Sequence, residues 1–170
     1  ISRAFVTVVA CVPDCGLMSV PGGGRIVAAE TASSFPEPGD DIDCGVTGFE
    51  AVAEGRRLGM DVVVIDHHEP DGSLPDANAI VDPKRADATY PERDLASVGL
   101  CFKTASAVCT LLDVPQESLQ RAFLDLVALG TIADVVPLIG ENRILASHGL
   151  KTMAGTRKVG LQALMRLCNV

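Results

Sequence analysis

The sequence predicts an α/β fold of the Rossmann-like kind, a mainly parallel sheet flanked by helices, with an irregular N-terminal part. Three observations predict it. Asp61–Ile65 (DVVVI) and Ala79–Val81 (AIV) are short, apolar, β-branched runs of the sort that suits strands buried on both faces. Segments of helical character alternate with and follow these runs, and strand–helix alternation argues for parallel pairing through crossover connections. The chain has 170 residues, of which 48 % are hydrophobic, enough to bury a core.

The elements follow in order. Residues 1–40 carry Pro13, Pro21, Pro36, Pro38 and the run Gly22-Gly23-Gly24, and are expected to be irregular. Within them only residues 5–12 and 25–29 are strand-like or helix-like, and no regular central strand is expected. Residues 41–170 form the orderly domain. A helix is expected over 48–58 with Gly59 as its stop. After DVVVI comes a polar loop, 66–75, and after AIV the pair Asp82-Pro83 and a loop over 84–94. Helices are expected over 95–112 and 115–129, the second with Pro115 in its first turn. A tight connection over 130–138 leads to helices over 142–153 and 160–168; in the last, Leu161, Leu164, Met165 and Cys168 share one face.

Composition narrows the function classes. The net charge of −8 argues against coating nucleic acid through bulk charge, while a local basic groove remains compatible. Acidic balance also suits a site that gathers carboxylates around divalent cations. No secretory signal and no run of about 18 apolar residues is present, so a cytoplasmic, reduced protein is expected. Cys11 and Cys15 lack a second Cys or His pair at zinc spacing. The first residue is Ile, and the last residues stop inside a helical pattern, so a piece of a longer chain is expected.

Asp66-His67-His68, directly after DVVVI, is the sharpest chemical feature. A strand ending at the carboxyl edge of a parallel sheet points its last side chains into the ligand crevice. One ring there could ligate a metal while the Asp fixes a ring nitrogen, and the other ring could serve as acid or base. A solvated turn is the competing reading. Asp43 precedes a helix in Asp43-Cys44-Gly45, and Asp134 is the only charge in an apolar stretch, 130–138. A lone Asp in such a stretch would carry a desolvation cost unless paired, capping or cation-bound; helix capping competes for both.

Together these residues resemble the DHH phosphoesterase superfamily, and its RecJ branch in particular. The resemblance runs over about residues 41–165. It includes DCGVTGFEAV (43–52), VVVIDHHEP (62–70), Ala79-Ile80-Val81-Asp82-Pro83, Ser97-Val98-Gly99, DLVALGTIADVVPL (125–138) and Glu141-Asn142-Arg143. It implies a two-metal site, Mn²⁺ or Mg²⁺, that hydrolyses phosphodiesters, and for the RecJ branch a 5′-to-3′ exonuclease on single-stranded DNA in DNA repair and recombination. On matching positions it implies Asp43, His67 and Asp134 as metal ligands. It implies His68 at the scissile phosphate and leaving group, with Asp66 orienting the His pair. Lys84, Arg85, Arg93, Arg143, Lys151, Arg157 and Lys158 are candidates for phosphate contact, with Arg143, Lys84 and Arg85 foremost.

One departure matters. The family's first motif is an Asp-x-Asp pair on an N-terminal strand, and residues 1–39 contain none. Gly16-Leu17-Met18-Ser19 resembles the stretch that follows that motif, which would place the motif upstream of residue 1. The chain alone is therefore expected to be inactive. Two alternatives stay open. One is another DHH hydrolase: an oligoribonuclease, a cyclic-dinucleotide phosphodiesterase or a pyrophosphatase. The other is a non-catalytic scaffold of the same fold; repair-protein partners are not identified by the sequence.

Overall fold

The computed structural model describes residues 45–58 and 61–170, together with the backbone strands at 6–10, 18–19 and 25–28. The chain forms two compact units, Ile1–Leu100 and Cys101–Val170.

The first unit holds a five-stranded sheet in the order β2-β3-β1-β4-β5. The strands are β1 (Val6–Ala10), β2 (Met18–Ser19), β3 (Arg25–Ala28), β4 (Asp61–Ile65) and β5 (Ala79–Val81). β1 pairs in parallel with β3 and β4, and β4 with β5; only β2 runs antiparallel, against β3. The mainly parallel sheet is thus as expected, and β4 and β5 have the bounds read from the sequence. The N-terminal segment departs from expectation. The two runs expected to be regular, 5–12 and 25–29, hold β1 and β3, the short β2 lies between them, and β1 is at the centre of the sheet. VTVVA is rich in β-branched residues, which favour the pleated, packed surface of a strand whatever the Pro and Gly content around it.

Helix α1 (Phe49–Arg57) packs on β4. Gly55 faces the strand closely: a Cβ there would stand 3.0 Å from Val62 Cγ2. Val46, Val52, Val62 and Val64 form the core, with Ala77 and Ile80 against it. Asn78 ties the lower ends together. Its Oδ1 accepts from the Val62 amide (2.7 Å) and Arg56 (2.9 Å), and its Nδ2 donates to Asp61. Gly59, the expected helix stop, lies outside the described residues. α2 (Ser97–Leu111) follows the 84–94 loop.

The second unit is helical, with α2 from Cys101 onward, α3 (Gln116–Ala133), α4 (Gly140–Met153) and α5 (Val159–Leu167). The connection expected over 130–138 begins later, because α3 continues through Gly130 to Ala133. Thr131, Val127 and Ala128 are buried on one α3 face, and that burial outweighs the low helix propensity of Gly130. α3 and α4 pack closely at Gly149, where a Cβ would stand 2.1 Å from the Leu124 carbonyl oxygen.

A part-buried ion pair fastens α5. The Lys158 ammonium donates to both oxygens of Asp125, at 2.7 and 2.8 Å, and Thr156 Oγ1 donates to Oδ2 at 2.7 Å. Lys158, a phosphate-contact candidate by sequence, is thus drawn into the fold. Burial pushes the Asp125 carboxyl up, but the hydrogen bonds from Lys158 and Thr156 outweigh it and hold it below its ordinary value. A carboxyl depressed in the folded state gives stability that is present above its unfolded pKa and is lost as pH falls through the folded one. Asp125→Ala is therefore expected to cost about 2 kcal/mol at neutral pH, since it leaves a part-buried ammonium unpaired. Melting followed against pH should show the variant and the parent converging in acid.

Candidate active site at the carboxyl edge of the sheet

The strand register builds the site. Ala10 of β1 pairs with Ile65 of β4, and Ile65 pairs with Val81 of β5, so three parallel strands finish level. The chain runs from β1 toward β3 on one side and β4 on the other, which makes the β1/β4 boundary a topological switch point. Crevices at such points are where open α/β sheets bind ligands. Asp66 is the first residue beyond β4 and Asp82 the first beyond β5; the Asp66 amide donates to the Val81 carbonyl at 3.0 Å.

Asp66 is fully buried and accepts four hydrogen bonds. Its Oδ1 takes the His67 amide (2.7 Å), the His68 amide (3.3 Å) and His68 Nδ1 (2.7 Å). Its Oδ2 takes the Val46 amide at 2.9 Å. Because Oδ1 can only accept when the carboxylate is charged, His68 Nδ1 carries the proton of that bond. Nε2 is then the unprotonated nitrogen of the neutral ring, on a side chain 38 % exposed. The His67 and His68 rings meet edge to face, centroids 4.6 Å apart.

The Val46 bond joins two separate sequence motifs. Gly45, of Asp43-Cys44-Gly45, has φ +80°, and a Cβ on it would stand 2.5 Å from Asp66 Oδ2. Only glycine allows the backbone to turn there and lie directly against the carboxylate. Sequence reasoning singled out Asp43 and missed Gly45 and Val46; the glycine two residues after the Asp was the available signal.

The remaining candidates are placed as follows. Asp43 lies outside the described residues. Asp134 belongs to the second unit, where it is the exposed C-terminal cap of α3, so the desolvation expected from its apolar neighbours does not arise. A carboxylate at a helix C-terminus opposes the helix dipole, so Asp134 is not there for helix stability. The next residue, Val135, has φ +60° and is 86 % exposed. A β-branched residue in the left-handed region is strained by about 1–3 kcal/mol. Val135→Gly is expected to raise stability by about 1 kcal/mol, because no packing is lost; a melting temperature unchanged or lowered would contradict this. Asn142, buried, donates to the Pro137 carbonyl and so fixes the far side of this turn. Arg85 gives one nitrogen to the Ile80 carbonyl and two to Asp87, while Lys84 Nζ lies 4.0 Å from Glu69. Arg143 is exposed on α4.

The sequence profile described as "DHH family, N-terminal domain" matches residues 42–131. The chain belongs to the DHH family. The single-stranded-DNA-specific exonuclease RecJ of Bacillus subtilis is 44 % identical over 126 residues, covering 74 % of this DHH chain and 15 % of RecJ. RecJ of Salmonella typhimurium is 41 % identical over 138 residues, covering 75 % of the chain and 24 % of that protein. A crystal structure of exonuclease RecJ bound to manganese superposes with TM-score 0.63 at 34 % identity, covering 74 % of this chain and 31 % of that one. This DHH chain thus spans less than a third of each of these proteins.

Proposed function

We propose that this DHH domain serves a metal-dependent phosphodiesterase, a RecJ-like 5′-to-3′ exonuclease on single-stranded DNA in DNA repair and recombination, working with Mn²⁺ or Mg²⁺ in the cytoplasm. The observation that carries this reading is the Asp66–His68 pair at the switch point, supported by the RecJ relatives. In the reading, residues 41–170 are the DHH portion, and Asp43, His67 and Asp134 hold the metal. Divalent cations in such a site activate water and stabilise the leaving oxygen. Among the described residues no three His, Cys, Asp or Glu side chains gather to hold an ion; of the three ligands in this reading the described part holds His67 and Asp134.

The chain's own contribution is defined more closely. Asp66 holds His68 through Nδ1, so that Nε2 takes up the proton and the imidazolium it forms can donate to a phosphate oxygen or to the leaving group. Lys84, Arg85 and Arg143 are kept as phosphate contacts, with Arg85 the most constrained of them. Among the described residues no helix is long and apolar enough to cross a membrane.

A second reading, a non-catalytic scaffold, is favoured by one particular. The resemblance calls for an Asp-x-Asp pair on a strand ahead of Gly16-Leu17-Met18-Ser19, and residues 1–39 hold none. The residues that follow Ala10 are Cys11-Val12-Pro13-Asp14-Cys15. The test is cleavage of labelled single-stranded DNA with Mn²⁺. The 170-residue chain should cleave little or not at all. A longer protein carrying the chain should cleave, and His68→Ala should slow it by about 10²–10⁴-fold. A longer protein that is inert with either metal would favour the scaffold. Robust, EDTA-sensitive cleavage by the short chain would show that other ligands replace the missing pair.

A further inference from the structure

The helical unit carries a groove that the site at the sheet edge does not use. Arg121 and Leu124 of α3 and His148, Lys151 and Thr152 of α4 line it, around a volume of about 460 Å³. Helical spacing brings them together. Glu117, Gln120, Arg121 and Leu124 recur at i, i+3, i+4 and i+7 on α3, and the α4 residues at i, i+3 and i+4, so each set is one stripe along its helix. The two backbones come close where Gly149 meets the Leu124 carbonyl, and beyond that crossing the stripes form the two walls. At a rise of about 1.5 Å per residue, the groove lies roughly 15–25 Å along α3 from Asp134.

Elsewhere in this unit cations are paired with acids, Lys103 with Glu141 and Lys158 with Asp125. Among the described residues, Arg121 and Lys151 make no ion pair and no side-chain hydrogen bond, in a chain whose net charge is −8. Glu117 is the one acid of the lining, and it stands in the first turn of α3, where the helix dipole stabilises it without a cation. Thr152 Oγ1 gives its proton to the His148 carbonyl at 3.1 Å. The donors left for a ligand are the Arg121 fork, the Lys151 ammonium, the Gln120 amide and the His148 ring. That set suits an anion with several acceptor oxygens. No aromatic side chain lines the groove, so nothing there stacks on a base. Leu124 is its only large apolar side chain, too little to anchor an acidic peptide. A phosphate group needs neither.

We propose that the α3–α4 groove is a phosphate-binding site, separate from the sheet-edge site, that holds a phosphate group through Arg121, Lys151 and His148 without reading a base. Its source is either a single-stranded nucleic acid or free phosphate. The binding does not rest on the phosphodiesterase reading.

The test uses the 170-residue chain in EDTA, so that neither cleavage nor a bound metal contributes. Inorganic phosphate and a fluorescent oligothymidylate are titrated separately while the amide resonances of Arg121, Leu124, His148 and Lys151 are followed. Shifts with inorganic phosphate alone identify the free anion as the source; shifts with the oligonucleotide identify the strand. Arg121→Gln and Lys151→Gln together should weaken binding of the active probe by about tenfold. For the oligonucleotide they should also lower the slope of log affinity against log salt by about 1.4, the share of two phosphate contacts on a single strand. Arg166→Gln, which removes an exposed cation of α5, should leave the response of the groove unchanged. Groove resonances that move with neither probe, a double variant that binds as the parent does, or equal weakening by Arg166→Gln overturns the proposal. So does a glutamate-rich peptide that shifts the groove at lower concentration than either phosphate probe. A failed cleavage assay leaves this result standing, and the reverse also holds.

Discussion

Gly149→Ala should cost the helical unit about 3 kcal/mol or more, because its added methyl group meets the tightest obstacle among the described glycines. The added Cβ meets the Leu124 carbonyl oxygen at 2.1 Å and Ala128 Cβ at 2.4 Å. One obstacle is backbone and the other a methyl with no rotamer to change, so α3 and α4 have to move apart. Overpacking of this kind costs about 1–3 kcal/mol when side chains can give way, and more when they cannot. Gly160→Ala is the control. Nothing lies within 4 Å of its Cβ, and in α5 it should gain about 0.5–1 kcal/mol from helix propensity. Denaturant melts of the two variants should move in opposite directions; equal shifts would contradict the close packing at Gly149.

Gly45→Ala should do comparable damage in the first unit, and with a chemical signature. The substitution adds left-handed strain of about 1 kcal/mol and drives Cβ to 2.5 Å from Asp66 Oδ2 and 2.9 Å from Cγ. Either Val46 leaves Asp66 or Asp66 turns and releases His68 Nδ1. The expected cost is about 3 kcal/mol, and the ¹⁵N shifts of the His68 ring should change from those of a single tautomer to an average. Gly72→Ala separates the two contributions. Gly72 has the same sign of φ, +75°, but open space around it, so its loss should be about 1 kcal/mol with the His68 ring unaffected.

Much of this architecture was legible in the sequence, and for identifiable reasons. DVVVI and AIV are continuous β-branched runs, and burial on both faces leaves few alternatives for them. The Asp-His-His triplet announced itself as three ionisable residues after an apolar strand. The failures are as informative. β1 was obscured because Pro and Gly around it were read as irregularity of the whole segment, although VTVVA itself holds neither. α3 was ended too early because Gly130 looked like a stop, while the buried face of Val127, Ala128 and Thr131 carries the helix past it. The roles of Gly45 and Asn142 depend on which atoms come near them, and one sequence does not display that. Lys158 looked like a surface cation because its partner, Asp125, lies 33 residues away in the chain.

We propose the carboxyl edge of β4 as a metal-dependent site, with His67 as a ligand and His68 beside it. The chain has three histidines, His67, His68 and His148, which makes the test direct. Sub-stoichiometric Mn²⁺ added to ¹⁵N-labelled chain should broaden the His67 and His68 ring resonances ahead of His148. The broadening should weaken as pH falls, because protons compete with the metal for its donors. It should disappear in His67→Ala. Uniform broadening of all three rings, or broadening of His68 that survives His67→Ala, would contradict the account.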